Sequence, residues 1–72
     1  MTLWQAEEGK EYTVRRINTG DGELEAFLFS LGCFEGEPIT VIFRLKHTCV
    51  VSIKDGRYTM DEDLAGAITV GE

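Results

Sequence analysis

The stretch LEAFLFSLGCFEGEPITVIF, Leu24 to Phe43, contains two hydrophobic periods separated by two glycines. In its first half the apolar residues recur at i, i+3, i+4 and i+7, which is one face of a helix: Leu24, Phe27, Leu28 and Leu31. Asp21 is placed to cap the start of this helix, and Gly32 to end it in the left-handed conformation. Phe29 lies off the apolar stripe, so we expect it to be partly exposed.

The second half of the stretch has the period of two that is typical of a strand. From Pro38 to Leu45 the apolar positions predicted to share one face are Ile39, Val41, Phe43 and Leu45. Proline is tolerated as the first residue of a strand, where no ladder hydrogen bond is lost. The whole stretch therefore predicts a helix-to-strand corner at Leu31–Gly36, with Gly32 and Gly36 as structural turns.

The flanking sequence adds short strands and turns. Apolar and polar residues alternate in Lys10–Ile17 until the pattern shifts by one residue near the end. This predicts a strand with a bulge near its end. Asp55-Gly56 is a two-residue hairpin signal of the type I′ class, with Gly56 as a structural turn. Asp61 to Asp63 would cap a helical turn that ends at Ala65, and Ala67–Val70 reads as a last short strand.

This order of elements predicts a mainly β fold. It is a small, closed or nearly closed barrel of about five strands, with one α-helix after the first strand and a short helical turn before the last. The 72 residues form one domain, residues 1–72, and so short a chain buries only roughly 60% of the surface that it exposes when unfolded. We expect a binding module, because so small a core leaves little room for a catalytic cleft.

The composition excludes several classes of function. The net charge of −6 disfavours nucleic acid and anionic lipid surfaces, both of which require basic residues. No apolar run is long enough to span a membrane, and the N-terminus lacks the pattern of a secretory signal, so we expect a cytoplasmic protein. The two cysteines, Cys33 and Cys49, are outside any CxxC motif and are interpreted as buried free thiols.

The residues of the opening stretch resemble the FeoA family, the small cytosolic proteins of bacterial ferrous iron transport with an SH3-like barrel. The resemblance covers about Tyr12 to Val70, and it is carried by a helix that ends in Leu-x-x-Leu-Gly, a second glycine and a Val-rich strand. The matching residues are Leu28, Leu31, Gly32, Gly36, Ile39 and Val41, then Tyr58, Met60, Ala65, Ile68 and Val70. The helix of many members is basic where this one is acidic to apolar, and Glu35 here replaces a common proline.

The resemblance implies an accessory protein that acts without catalysis, by contact with the membrane ferrous iron permease and its cytosolic GTP-binding domain. It implies recruitment to the inner face of the membrane through that permease, without insertion. The same domain is also fused to metal-dependent repressors, but this sequence shows no DNA-binding helices. No cofactor is expected to be required, and any ferrous iron or other divalent transition metal is expected to bind weakly.

Aromatic residues outside the core stripe are the candidates for a contact surface. We predict partner contacts at Phe29, Phe34 and Glu35, since loops on rigid scaffolds often carry contacts. Trp4 is a further aromatic candidate. The alternative is that Phe34 and Trp4 only cover the two ends of the barrel.

A metal-binding carrier or sensor is the alternative function. His47 and Cys49 are two ligand types for a soft metal, and at this spacing on a strand they would face the same side. Asp61, Glu62 and Asp63 could hold a hard divalent ion, although capping explains them better.

Two other functions are weaker. A peptide-binding SH3 module would need an aromatic groove, and only Trp4, Tyr12 and Tyr58 are available to form one. An enzyme is weaker still, because one histidine and no convincing acid–base pair leave little to build an active site from.

Overall fold

The computed structural model describes residues 1–72 and contains one five-stranded antiparallel sheet. The strands are β1 (Glu11–Ile17), β2 (Pro38–Arg44), β3 (Thr48–Ile53), β4 (Gly56–Asp61) and β5 (Ile68–Gly71). The helices are a 3₁₀ turn at Leu3–Gln5, α1 (Gly22–Leu31) and α2 (Glu62–Gly66). The strand order is β4-β3-β2-β1-β5. This confirms the mainly β, SH3-like fold with a helix after the first strand and a helical turn before the last.

The core is formed by the inner face of the sheet together with the two helices and the N-terminal arm. Its buried residues are all apolar: Leu3, Ala6, Tyr12, Val14, Leu28, Cys33, Ile39, Val41, Cys49, Val51, Ile53, Met60, Ala65, Ile68 and Val70. The arm continues the sheet through a bridge between Thr2 and Thr69. Since β5 is an edge strand, this contact protects part of an otherwise open edge.

β1 has the bulge that its sequence predicts. Its pairing with β5 shifts register between Val14 and Arg16. Tyr12 and Val14 are buried before the shift, as their alternation indicates.

β2 contains a second bulge, which the alternation did not predict. Its pairing with β3 shifts between Val41 and Phe43. An extra residue rotates all later side chains to the other face. Phe43 and Leu45 are therefore 44% and 59% exposed, and the prediction that they lie on the inner face is wrong. Arg44 instead pairs opposite the buried Cys49.

α1 begins and ends where predicted, but its buried stripe is narrower. Asp21 accepts hydrogen bonds from the backbone N–H groups of Glu23 and Leu24, at 3.0 and 3.2 Å. Leu28 alone is fully buried, with Leu24 and Leu31 half-buried. Phe27 is 54% exposed, so its predicted place in the core is wrong.

The β3–β4 hairpin is present, but its turn lies one residue earlier than predicted. Ile53 pairs with Gly56, so the two-residue loop is Lys54-Asp55. Gly56 is the first residue of β4, and a Cβ there would lie 2.2 Å from the Tyr58 hydroxyl. A larger residue here would displace the Tyr58 ring, so this glycine accommodates a close side chain and does not form the turn. The positive φ of 52° belongs to Lys54, and Asp55 does not share it as a type I′ turn would require.

Candidate functional site

The Leu31–Gly36 corner is held at both ends by backbone hydrogen bonds. Gly32 has φ of 94°, and Cys33 N–H donates to the Leu28 carbonyl at 2.9 Å, a Schellman-type helix end. Gly36 also has a positive φ, of 93°, and its N–H donates to the Val14 carbonyl at 2.8 Å. The predicted turn roles of Gly32 and Gly36 are confirmed, and the residues between them are displayed by a fixed loop.

Two of the three predicted contact residues come together at this corner. The rings of Phe29 and Phe34 stack with centroids 4.6 Å apart and planes 29° apart. Phe29 is 63% exposed, Phe34 is half-buried, and Glu35 beside it is exposed. We call Phe29, Phe34 and Glu35 the aromatic corner. An exposed aromatic ring beside a rigid loop is typical of a binding surface.

Lys54, from the β3–β4 turn, completes the corner and was not foreseen from the sequence. Its Nζ lies 5.7 Å from the centroid of the Phe34 ring and forms an ion pair with Glu37. Its aliphatic chain passes over Gly32, where a Cβ would lie 2.8 Å from Lys54 Cε. The positive φ of Lys54 is unusual for a residue with a side chain. No local sequence signal indicates this contact, because the two segments are distant in the chain.

The segment of sequence that carries the aromatic corner is acidic. Residues 17–43 contain five acidic residues and no lysine, arginine or histidine. These acids are Asp21, Glu23, Glu25, Glu35 and Glu37. Glu25 precedes Phe29 by four residues on α1, so the two side chains are neighbours on one flank of the helix.

The two cysteines are free, buried thiols, as predicted. Burial raises the pKa of Cys33 to about 11. Loss of hydration is the cause, because burial disfavours the charged thiolate. Burial likewise raises the pKa of Cys49. A thiol held in its neutral form is a poor nucleophile and a poor metal ligand.

His47 and Cys49 do not share a face, so that part of the metal hypothesis is wrong. Cys49 is fully buried in the core, whereas the His47 side chain is 74% exposed and lies 3.2 Å from Glu62. His47 belongs to the β2–β3 connection and not to a strand, which is why the strand alternation fails. No cluster of three or more His, Cys, Asp or Glu side chains has the geometry to hold a metal ion. Binding of ferrous iron to this chain stays a prediction.

The acidic run at the start of α2 has a structural role. Asp61 caps the helix, accepting a hydrogen bond from Leu64 N–H at 2.8 Å. Asp61 and Asp63 also border a depression of about 300 Å³ between the two helices. The remaining lining residues are Asn18, Thr19, Leu24, Leu64 and Ala67.

Trp4 lies at another end of the barrel and does not join the aromatic corner. It packs against the core and has the Arg44 guanidinium 5.6 Å from its ring centroid. Tyr12 is buried, with its hydroxyl accepting from Glu7 N–H at 3.1 Å. Since Tyr12 is not available at the surface, the aromatic groove of a polyproline-binding module is not formed by Trp4, Tyr12 and Tyr58.

These features define a small SH3-like domain with an exposed aromatic corner in acidic surroundings. The sequence matches the family model of the FeoA domain over residues 1–72. The chain therefore belongs to the FeoA family. No curated protein sequence matches it significantly.

Solved structures give the same fold. A crystal structure described as iron uptake regulatory protein (FeoA) superposes with a TM-score of 0.86 at 24% identity, covering 99% of this chain and 95% of that one. The solution structure of iron(II) transport protein A from Clostridium thermocellum has a TM-score of 0.88 at 25% identity, covering 99% of this chain and 44% of that one. A manganese-dependent transcriptional repressor matches at 25% identity and TM-score 0.87, over 99% of this chain and 40% of its own.

The repressor shows that this domain also occurs within longer chains, since the present chain spans less than half of it. Neither helix of the present chain has the length and apolar content needed to cross a membrane.

Proposed function

We propose that this protein is an accessory component of ferrous iron transport that contacts the cytosolic part of the membrane ferrous iron permease through its aromatic corner. Membership of the FeoA family implies the role in ferrous iron transport. The contact with the permease, the cytoplasmic location and the recruitment to the membrane are the finer parts of the proposal. The protein acts by binding and carries out no chemical step.

The stacked Phe29–Phe34 pair is the observation that supports a contact surface here. Phe29 is 63% exposed, outside the buried core, and its ring stacks on that of Phe34. Aromatic side chains are frequent energetic centres of interfaces.

The test is affinity capture from detergent-solubilised membranes of anaerobically grown source cells, with the captured proteins identified by mass spectrometry. We expect the permease to be enriched by the wild-type protein and lost with Phe29→Ala. Phe43→Ala is the matched control, because it removes an exposed phenylalanine of β2 that lies outside the aromatic corner.

Capture of the permease that is unchanged by Phe29→Ala would show that another surface makes the contact. Absence of the permease from the wild-type sample, with the protein folded and the permease present in the extract, would overturn the proposed function.

A further inference from the structure

We infer that the aromatic corner binds a cationic amphipathic helix of its partner, with the apolar side chains on the two rings and the lysine or arginine side chains beside the surrounding carboxylates. The inference rests on the proposed function, since it specifies the chemistry of the segment that the partner presents.

The apolar part of the surface is small. It consists of the outer faces of two stacked rings, at the end of α1 and in the loop that follows. One helix can cover an area of this size, because side chains at i, i+3 and i+4 converge on a single spot.

The exposed carboxylates beside the two rings favour a basic partner. Glu25 lies one helical turn before Phe29, and Glu35 follows Phe34 in the loop. Residues 17–43 contain no lysine, arginine or histidine, and Lys54, the cation over the Phe34 ring, is already paired with Glu37. An acidic partner segment would meet Glu25 and Glu35, and like charges oppose association.

Lys54 shows within the chain how a cation fits this surface. Its ammonium lies over the face of the Phe34 ring and beside a carboxylate, while its stem packs along Gly32. Cations are attracted to aromatic faces, and a lysine stem covers apolar area at the same time. Phe29 offers a second, exposed ring, and Glu25 lies one helical turn before it, with its carboxylate accepting a hydrogen bond from the Thr19 hydroxyl at 2.9 Å.

A second copy of this chain is the competing occupant. Two copies would bring identical acidic surfaces together, each belonging to a chain of net charge −6. A C₂ contact through the aromatic corner would oppose Glu25 and Glu35 of one copy to the same residues of the other or to their neighbours. Charge complementarity therefore favours the basic helix.

The probe is an 18-residue amidated peptide of leucine and lysine with helical spacing, titrated into the protein and followed by calorimetry at low and moderate salt. A peptide with glutamate in place of lysine is the control. We expect binding of the lysine peptide alone, weakening as salt rises.

The decisive variant is Glu25→Gln/Glu35→Gln, compared with the charge-matched control Glu7→Gln/Glu11→Gln, which lies outside the acidic segment. Both pairs are exposed and each removes two negative charges. Exposed ion pairs each contribute little, so the decisive variant should bind about fivefold more weakly and the control within about twofold of wild type. Phe29→Ala should also weaken binding, whereas Phe27→Ala on the other flank of α1 should not.

Equal weakening by both charge variants would show a response to net charge alone and overturn the inference. Binding that is unaffected by Phe29→Ala would overturn it too, as would a wild-type dimer in sedimentation that Phe29→Ala abolishes. If the membrane capture succeeds while the lysine peptide does not bind, the inference fails and the proposed function stands. If the peptide binds at the aromatic corner but the permease is not captured, the inference of a basic helix stands and the proposed contact with the permease fails.

Discussion

Cys33 is one residue beyond a helix end and yet is inaccessible to solvent. Its backbone N–H closes the helix, which turns its side chain under the corner and into the core. The thiol is therefore held neutral, and its raised pKa reports its burial. The residue contributes to stability by packing and has no surface through which to react.

This burial makes stability depend on alkaline pH. The pKa of Cys33 is raised from its ordinary value of 9.0 to about 11, so between these values the folded state retains a proton that the unfolded state releases. The stabilising contribution is present in full below pH 9 and is lost as pH rises through about 11. We expect the urea midpoint of the wild-type protein to fall over this window.

Cys33→Ala is the comparison that isolates the thiol, since tyrosines and lysines also ionise at high pH. The variant should be less stable at neutral pH, but its midpoint should fall less steeply between pH 9 and 11. Parallel pH profiles for the two proteins would contradict the assignment.

At the scale of elements, the start of α1 depends on a single carboxylate. Asp21 accepts two backbone N–H groups that have no partner within the helix. Asp21→Ala should lower the free energy of unfolding by about 1 kcal/mol, measured by urea denaturation. Asp21→Asn should retain most of the stability, because asparagine caps equally well. If both variants lose the same amount, charge and not the cap is responsible.

The elements also show what could be read from the sequence and why. The bulge in β1 was visible, because Ile17 breaks the alternation where Arg16 should have been apolar. The bulge in β2 was hidden, because Ile42 and Phe43 are both apolar and either could face inward. Binary patterning specifies register only where the two faces differ in polarity.

The same reasoning applies to the candidate site. Phe29 was predicted to be partly exposed because it lies off the helical stripe, and Phe34 was a contact candidate because it lies in the loop after the helix. The stacking of Phe29 on Phe34 and the contact of Phe34 with Lys54 depend on the position of the β3–β4 hairpin over Gly32. Local hydrophobic periodicity does not encode that position. The face that His47 and Cys49 were predicted to share is wrong for a similar reason, because the strand begins only at Thr48.

At the scale of the whole molecule, the barrel depends on an N-terminal arm that joins both its sheet and its core. The Met1 carbonyl accepts a hydrogen bond from Val70 N–H at 2.9 Å, and Thr2 forms a β-bridge with Thr69 of the edge strand. Leu3 is completely buried between the barrel and the short helix α2, which packs against the arm. The arm thus supplies apolar area that so short a chain needs for its stability.

Truncating one side chain of this arm should therefore affect the entire fold. Leu3→Ala leaves a cavity and should cost about 2–5 kcal/mol, a large part of the roughly 4–11 kcal/mol that a domain of this length possesses. Leu45→Ala removes the same atoms from a side chain that is 59% exposed, and should change stability by no more than about 0.5 kcal/mol. Urea and thermal unfolding of the two variants provide the measurement. Near-equal stability of the two would mean that the arm detaches readily and that the sheet holds its core without it.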